Sequence, residues 1–235
     1  MKIVSLVLAN DGPCACSRCN KQGLPYKNLS QAVRDTWASR HDGNVKTYYM
    51  YGHREGVEFP ENSPIMMCDE TYWPISKGEG GQGQHVMMKR KPFAVEDCIY
   101  SDTPGDNTPN GRDNLWYKTL DGFQWLLENE EFDYLLRPCA SNYVDLILVQ
   151  KFLQEVGIKD NVYAGAVAQY KSTKYASGSF YILSRNLVEK LVKGRLSSEP
   201  VRSPYASATI IDDVTVGKII TQDFGIEIVD IPKIQ

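Results

Sequence analysis

Residues 3–9 read IVSLVLA, a run in which only Ser5 is polar. Such a run does not alternate, which is what a strand buried on both faces requires, so residues 2–9 predict a central strand of a parallel sheet. Residues 10–27 are polar, with Gly, Pro and Cys, and predict a loop. Helical spacing follows over Asn28–Arg40, where Ala32, Val33, Trp37 and Ala38 supply an apolar stripe and Ser30 is the expected N-cap. Val45–Tyr51 (VKTYYMY) is rich in β-branched and aromatic residues and stops at Gly52. Pro64–Cys68 reads as a further short strand. From Tyr72 to Asn114 the periodicity dissolves, and a long flexible loop is expected over about 72–113. Regular patterning then returns. It predicts helices at Leu115–Glu128, Val144–Glu155, Asn186–Lys193 and Asp213–Gln222. Strands are expected at Tyr134–Pro138, Val162–Ala166, Phe180–Ser184 and Ile226–Ile231.

Strands that alternate with helices imply a mostly parallel sheet sandwiched between helical layers. At 235 residues the chain can bury one substantial core, so a single domain over 1–235 is expected. The net charge of −3 argues against a nucleic-acid-binding surface, which is usually basic. The 14 tyrosines suit the walls of a sugar or nucleotide cleft, and equally an ordinary core. No window reaches the roughly 20 apolar residues of a membrane span. The run at 3–9 is too short for a signal peptide, so the sequence reads as a soluble, cytoplasmic protein. Cys14, Cys16 and Cys19 form a C-x-C-x-x-C cluster with no fourth ligand nearby. Zinc, a disulfide and free thiols all remain open for it.

The literal pattern Gly78-x-Gly80-x-x-Gly83 has neither a strand before it nor a helix after it, so it is not a dinucleotide fingerprint. Other segments carry a resemblance. Ala32-Val33-Arg34-Asp35-Thr36-Trp37, with Lys46–Gly52, is similar to the R-x-x-A-I-R-x-T-W … F-L-L-G opening of the β-1,3-galactosyltransferase/Fringe family. Asp113–Thr119 (DNLWYKT) with Trp125 resembles that family's N-L-T-x-K-T … W helix. Tyr163-Ala164-Gly165, Tyr175–Gly178 with Leu183-Ser184-Arg185, and Asp212–Gly217 resemble its YAG, YCSGGGYVLSR and EDVYVG blocks. The resemblance covers roughly residues 28–52 and 113–226, in the family's order. It implies a GT-A (nucleotide-diphospho-sugar transferase) fold and inverting transfer from a nucleotide-sugar, expected to be a UDP-sugar, to a glycan hydroxyl. Residues 1–112 would form the donor half and 113–235 the acceptor and catalytic half. With no anchor in the sequence, the expectation is a bacterial or large-virus enzyme, acting in the host cytoplasm if viral.

Carried onto this sequence, the second acid of the EDV block falls on Asp213, the candidate catalytic base. A carboxylate at the start of a helix is favoured in its ionised form and can take the proton of an attacking hydroxyl. Asp212 is left as a helix cap or an acceptor contact. Ser177 and Gly178 permit close approach of a sugar or mark a strand irregularity. Trp116 stacks on a sugar ring or packs in the core. The departure lies where the family's KTDDDVFVN aligns with Arg137-Pro138-Cys139-Ala140-Ser141-Asn142-Tyr143-Val144-Asp145. The family's carboxylates bind Mn²⁺, whose charge offsets that of the departing diphosphate. Cys139, Ala140 and Ser141 offer no carboxylate, so no metal ligand is assigned and no cofactor is required, although Mn²⁺ or Mg²⁺ would serve if ligands came from elsewhere. Arg34, Lys118 and Arg137 are the cations nominated to act instead, because preorganised positive charge stabilises a developing oxyanion. The alternative is a GT-A-fold carbohydrate- or nucleotide-binding module without transferase activity. A nucleotidyltransferase is disfavoured because ANDGPCAC, after the first strand, holds a single glycine.

Overall fold

A computed structural model describes residues 1–10, 26–40, 43–53, 56–72, 83–104, 115–196 and 212–231. The described strands are β1 (Ile3–Leu8), β2 (Val45–His53), β3 (Ile65–Tyr72), β4 (Gly83–Arg90), β5 (Phe93–Val95), β6 (Cys98–Pro104), β7 (Tyr134–Pro138), β8 (Tyr163–Tyr170), β9 (Thr173–Ser184) and β10 (Val229–Asp230). The helices are α1 (Tyr26–Asp35), α2 (Leu115–Asn129), α3 (Leu146–Val156), α4 (Arg185–Leu196) and α5 (Asp212–Lys218). Short 3₁₀ and π turns follow α1 and α5, at Trp37–Ser39 and Ile219–Asp223.

Eight strands form one sheet in the order β10-β8-β9-β7-β1-β2-β6-β5, and β3 and β4 pair separately as an antiparallel hairpin. The run β6-β2-β1-β7 is parallel throughout, and β9 is inserted antiparallel between β7 and β8. The protein is therefore α/β, with a mostly parallel central sheet flanked by helices. All six residues of β1 are buried because both faces are covered. Val4, Leu6 and Leu8 face a core built with α2, α4 and α5, while Ile3, Val7 and Ala9 face a core built with α1 and α3. The period of 2 along each strand assigns the residues to these two layers.

Several expected elements are redrawn. The helix expected over Asn28–Arg40 stops at Asp35, and Thr36 is non-helical, with φ −117° and ψ −105°. Its hydroxyl donates to the Ala32 carbonyl at 2.6 Å, a local bond that competes with the helix ladder. Ser30 is not the cap; it lies buried inside α1. Strand β2 continues through Gly52, where its register with β6 shifts, so that glycine marks an irregularity and not an end. The long loop expected over 72–113 instead contains β4, β5 and β6. Strand β6 alternates faithfully, but its buried positions after Ile99 are Ser101 and Thr103. Both hydroxyls donate to the Asp121 carboxylate, Thr103 Oγ1 at 2.7 Å, so a polar strand is buried without an unmet bond there. Lys89 of β4 joins the same carboxylate at 3.2 Å and ties the hairpin to the sheet. Strands β8 and β9 are longer than expected because their polar outer halves pair with each other, Val167–Tyr170 against Thr173–Ala176. The last strand is shorter than Ile226–Ile231 and comprises Val229–Asp230 alone.

Strand Tyr134–Pro138 is as expected, and α2 ends one residue beyond the expected Glu128. Asp145 is the N-cap of α3, accepting from the Ile147 and Leu148 amides at 3.0 and 3.1 Å, and the helix therefore starts at Leu146 rather than Val144. No helix among the described residues is long and apolar enough to cross a membrane.

Candidate functional site

From β1 the chain builds outward through β2 to β6, then crosses back to place β7 on the other side of β1. In open α/β sheets the connections leaving the carboxyl ends of two such strands diverge, and the crevice between them is the usual ligand site. Here that switch point lies between Leu8-Ala9 and Pro138-Cys139, where Leu8 and Cys139 form an isolated parallel bridge. Lys118 of α2 reaches this edge and donates to the Ala9 carbonyl at 3.2 Å.

The segment after β7 is held firmly. The Cys139 amide donates to the Ser179 carbonyl at 3.0 Å, and the Asn142 amide to the Cys139 carbonyl at 3.1 Å. The Trp37 indole N–H donates to the Asn142 carbonyl at 2.9 Å. Cys139 is half-buried with its thiol 3.3 Å from the Ser141 hydroxyl, Ala140 is buried in the α1/α3 core, and Ser141 is exposed.

Beside this edge the antiparallel course of β9 brings Gly178 past the end of β7, two residues beyond the Pro138–Phe180 pair. Gly178 meets Asp213 directly and is linked to Asp212 through Arg137. Its amide donates to Asp213 Oδ2 at 2.6 Å, while Asp213 Oδ1 accepts from the Val214 amide at 3.0 Å. A Cβ at residue 178 would stand 2.7 Å from Asp213 Oδ2, so this approach requires glycine. The Gly178 carbonyl accepts from Arg137 Nη1 at 2.5 Å, and Arg137 Nη2 binds Asp212 Oδ2. The Arg137 guanidinium also lies over the Tyr181 ring, 5.3 Å from its centroid.

Burial pushes the Asp212 carboxyl up to about 6; Arg137, Thr119 and Lys118 draw it down, and Asp213 adds to the rise. Burial alone would lower Arg137, but Asp212 and further neighbours outweigh it and leave its pKa raised. Arg137 is thus charged throughout the working range, and the proton balance of the pair rests on Asp212.

The structure brings together Lys118, Arg137, Cys139, Gly178, Asp212 and Asp213, with Ser177 bonded to Ser179 nearby at 3.0 Å. Two other expected residues have different surroundings. Arg34 sits on the opposite face of the sheet, in the α1 layer, with its guanidinium over the Tyr49 ring and bonded to Asp97 at 2.9 Å. Trp116 is buried within the α2 core. Asp212 is neither an exposed cap nor a surface contact: its side chain is 2 % exposed and paired with Arg137. Two groups went unread in the sequence, the Arg137–Asp212 pair and the Lys89–Asp121 pair. For the second pair the available signal was Asp121 inside the largely apolar LWYKTLDGFQWLL, since a charge on a buried helix face must find a partner.

Among the described residues no group of three or more His, Cys, Asp and Glu side chains is placed to hold a metal ion. Cys14, Cys16, Cys19, Gly78 and Gly80 lie outside the described residues. No protein-family model matches the chain.

Proposed function

We propose that the protein is an inverting glycosyltransferase of GT-A type that moves a sugar from a nucleotide-sugar, a UDP-sugar on the resemblance to the β-1,3-galactosyltransferase/Fringe family, to a hydroxyl of a glycan. The observation that carries this reading is the position of Asp213. It is a half-buried carboxylate fixed by two backbone amides beside the carboxyl end of β7, and β7 borders the switch point at which open α/β sheets bind ligands. The acceptor oxygen attacks the anomeric carbon and gives its proton to Asp213. The new carbon–oxygen bond forms as the bond to the diphosphate breaks, and the diphosphate leaves with the electron pair from the opposite face. The donor diphosphate lies against the edge made by Ala9, Cys139 and Ser141.

A binding module on the same fold is the second reading, and one observation favours it. Arg137 and Lys118 are turned inward onto Asp212, Gly178 and Ala9, and Arg34 is on the other face, so the nominated cations are committed elsewhere. Calorimetric titration and turnover assays with a panel of nucleotide-sugars, with and without Mn²⁺, separate the two. Turnover that disappears in Asp213→Ala with donor binding intact supports the transferase. Binding without turnover supports the module, and no binding to any nucleotide-sugar sinks both.

A further inference from the structure

The Arg137 guanidinium uses two nitrogens for two different tasks. Nη1 holds the Gly178 carbonyl and Nη2 holds the Asp212 carboxylate. Gly178 in turn aims its amide at Asp213, the neighbour of Asp212. The contacts close a ring that runs from β7 to β9, on to α5 and back to β7. The Gly178 amide and carbonyl belong to successive peptide units joined at a glycine Cα, the least restricted joint in a chain. Something must hold that joint if the amide is to stay on Asp213. Arg137 fixes the peptide unit that follows Gly178, and the Cys139 amide fixes the next carbonyl, that of Ser179. The clamp itself is rigid, because Arg137 projects from a strand buried at every position and its side chain is 4 % exposed.

We propose that Arg137 is a positioning residue for Asp213: it keeps the Gly178 amide on the carboxylate and, through Asp212, sets the depth at which α5 presents it. Asp212 is then the structural counterion of the clamp. The proposal rests on the reading of Asp213 as the base. Lysine keeps the charge but not the two-pronged geometry, so Arg137→Lys is the informative change.

Two measurements on the full chain test it. In turnover with the accepted nucleotide-sugar, Arg137→Lys lowers kcat by about 10- to 100-fold, as misplacement of a catalytic group does, and leaves the donor KM unchanged. In amide NMR spectra, the Gly178 proton, shifted downfield by its charged acceptor, moves upfield in Asp213→Asn and again in Arg137→Lys. The double variant Arg137→Met/Asp212→Leu removes both buried charges together and guards against loss of fold. It shows the same fall in kcat and the same amide movement. Folded variants that keep kcat and the Gly178 resonance overturn the proposal. A wild-type protein inert toward every nucleotide-sugar sinks the transferase reading instead, and the amide shift then decides the positioning by itself.

Discussion

Single side chains at the edge of β7 divide into those that hold the backbone and those that hold charge. Asp145 belongs to the first kind: it satisfies two amides at the start of α3, and Asp145→Ala is expected to cost about 1 kcal/mol, read as a lower midpoint in urea unfolding. Asp212 belongs to the second. Burial holds its folded pKa at about 6, above the 3.8 usual for an exposed aspartate, so the folded state keeps a proton that the unfolded chain releases. The sign follows from linkage: between about pH 4 and pH 6 this group makes stability fall as pH rises. Urea midpoints measured across that window should therefore decline more steeply with rising pH in the wild type than in Asp212→Asn. Asp97 has the opposite sign. Burial would raise it, but the Arg34 guanidinium holds it below the usual carboxylate range, so its contribution is lost as pH falls. The cap of Asp145 is local, but neither ion pair is visible in local sequence. Arg137 and Asp212 are 75 positions apart, and a lone arginine in YLLRP gives no hint of which acid it will meet.

At the scale of elements, the sequence is most legible where burial is apolar. Strand β7 and helix α2 announce themselves because most of their large buried side chains are Leu, Phe, Tyr and Trp, in a short run for the strand and a long one for the helix. Strand β6 does not, since two of its inward residues are Ser101 and Thr103, and the pattern registers hydropathy and not hydrogen bonding. Its burial is possible only because Asp121 arrives from α2 and Lys89 from β4. That dependence is testable. Lys89→Met leaves the Asp121 carboxylate buried without its cation and should cost about 3–5 kcal/mol in urea unfolding. The double change Lys89→Met/Asp121→Leu removes both charges and should cost distinctly less. Helix α5 depends on an equally non-local fit, because a Cβ on Gly217 would stand 2.1 Å from the Tyr175 Cβ. The glycines of the resembling blocks thus have packing duties that motif matching alone does not reveal.

Taken as a whole molecule, the sheet joins strands from both halves of the chain, and β1 pairs with β7 at the junction. Both strands are buried along their whole length, so neither half can end there without exposing a central edge. Segments 1–112 and 113–235 expressed separately should lack the native circular-dichroism and amide NMR spectra, and should recover them when co-expressed. By itself the sequence determined the α/β class, the buried first strand, and the order of helices and strands after residue 113, because each follows from the spacing of apolar side chains within one segment. It also pointed to Asp213, through a resemblance carried by short ordered blocks. Only the tertiary structure decided that β9 runs antiparallel beside β7, that Arg34 stands on the far face, and that Asp212 is a buried counterion while its neighbour Asp213 stays half-exposed. Those outcomes depend on which distant residues share a face of the sheet. Local periodicity sets each side chain's direction, and strand order alone sets what it meets there.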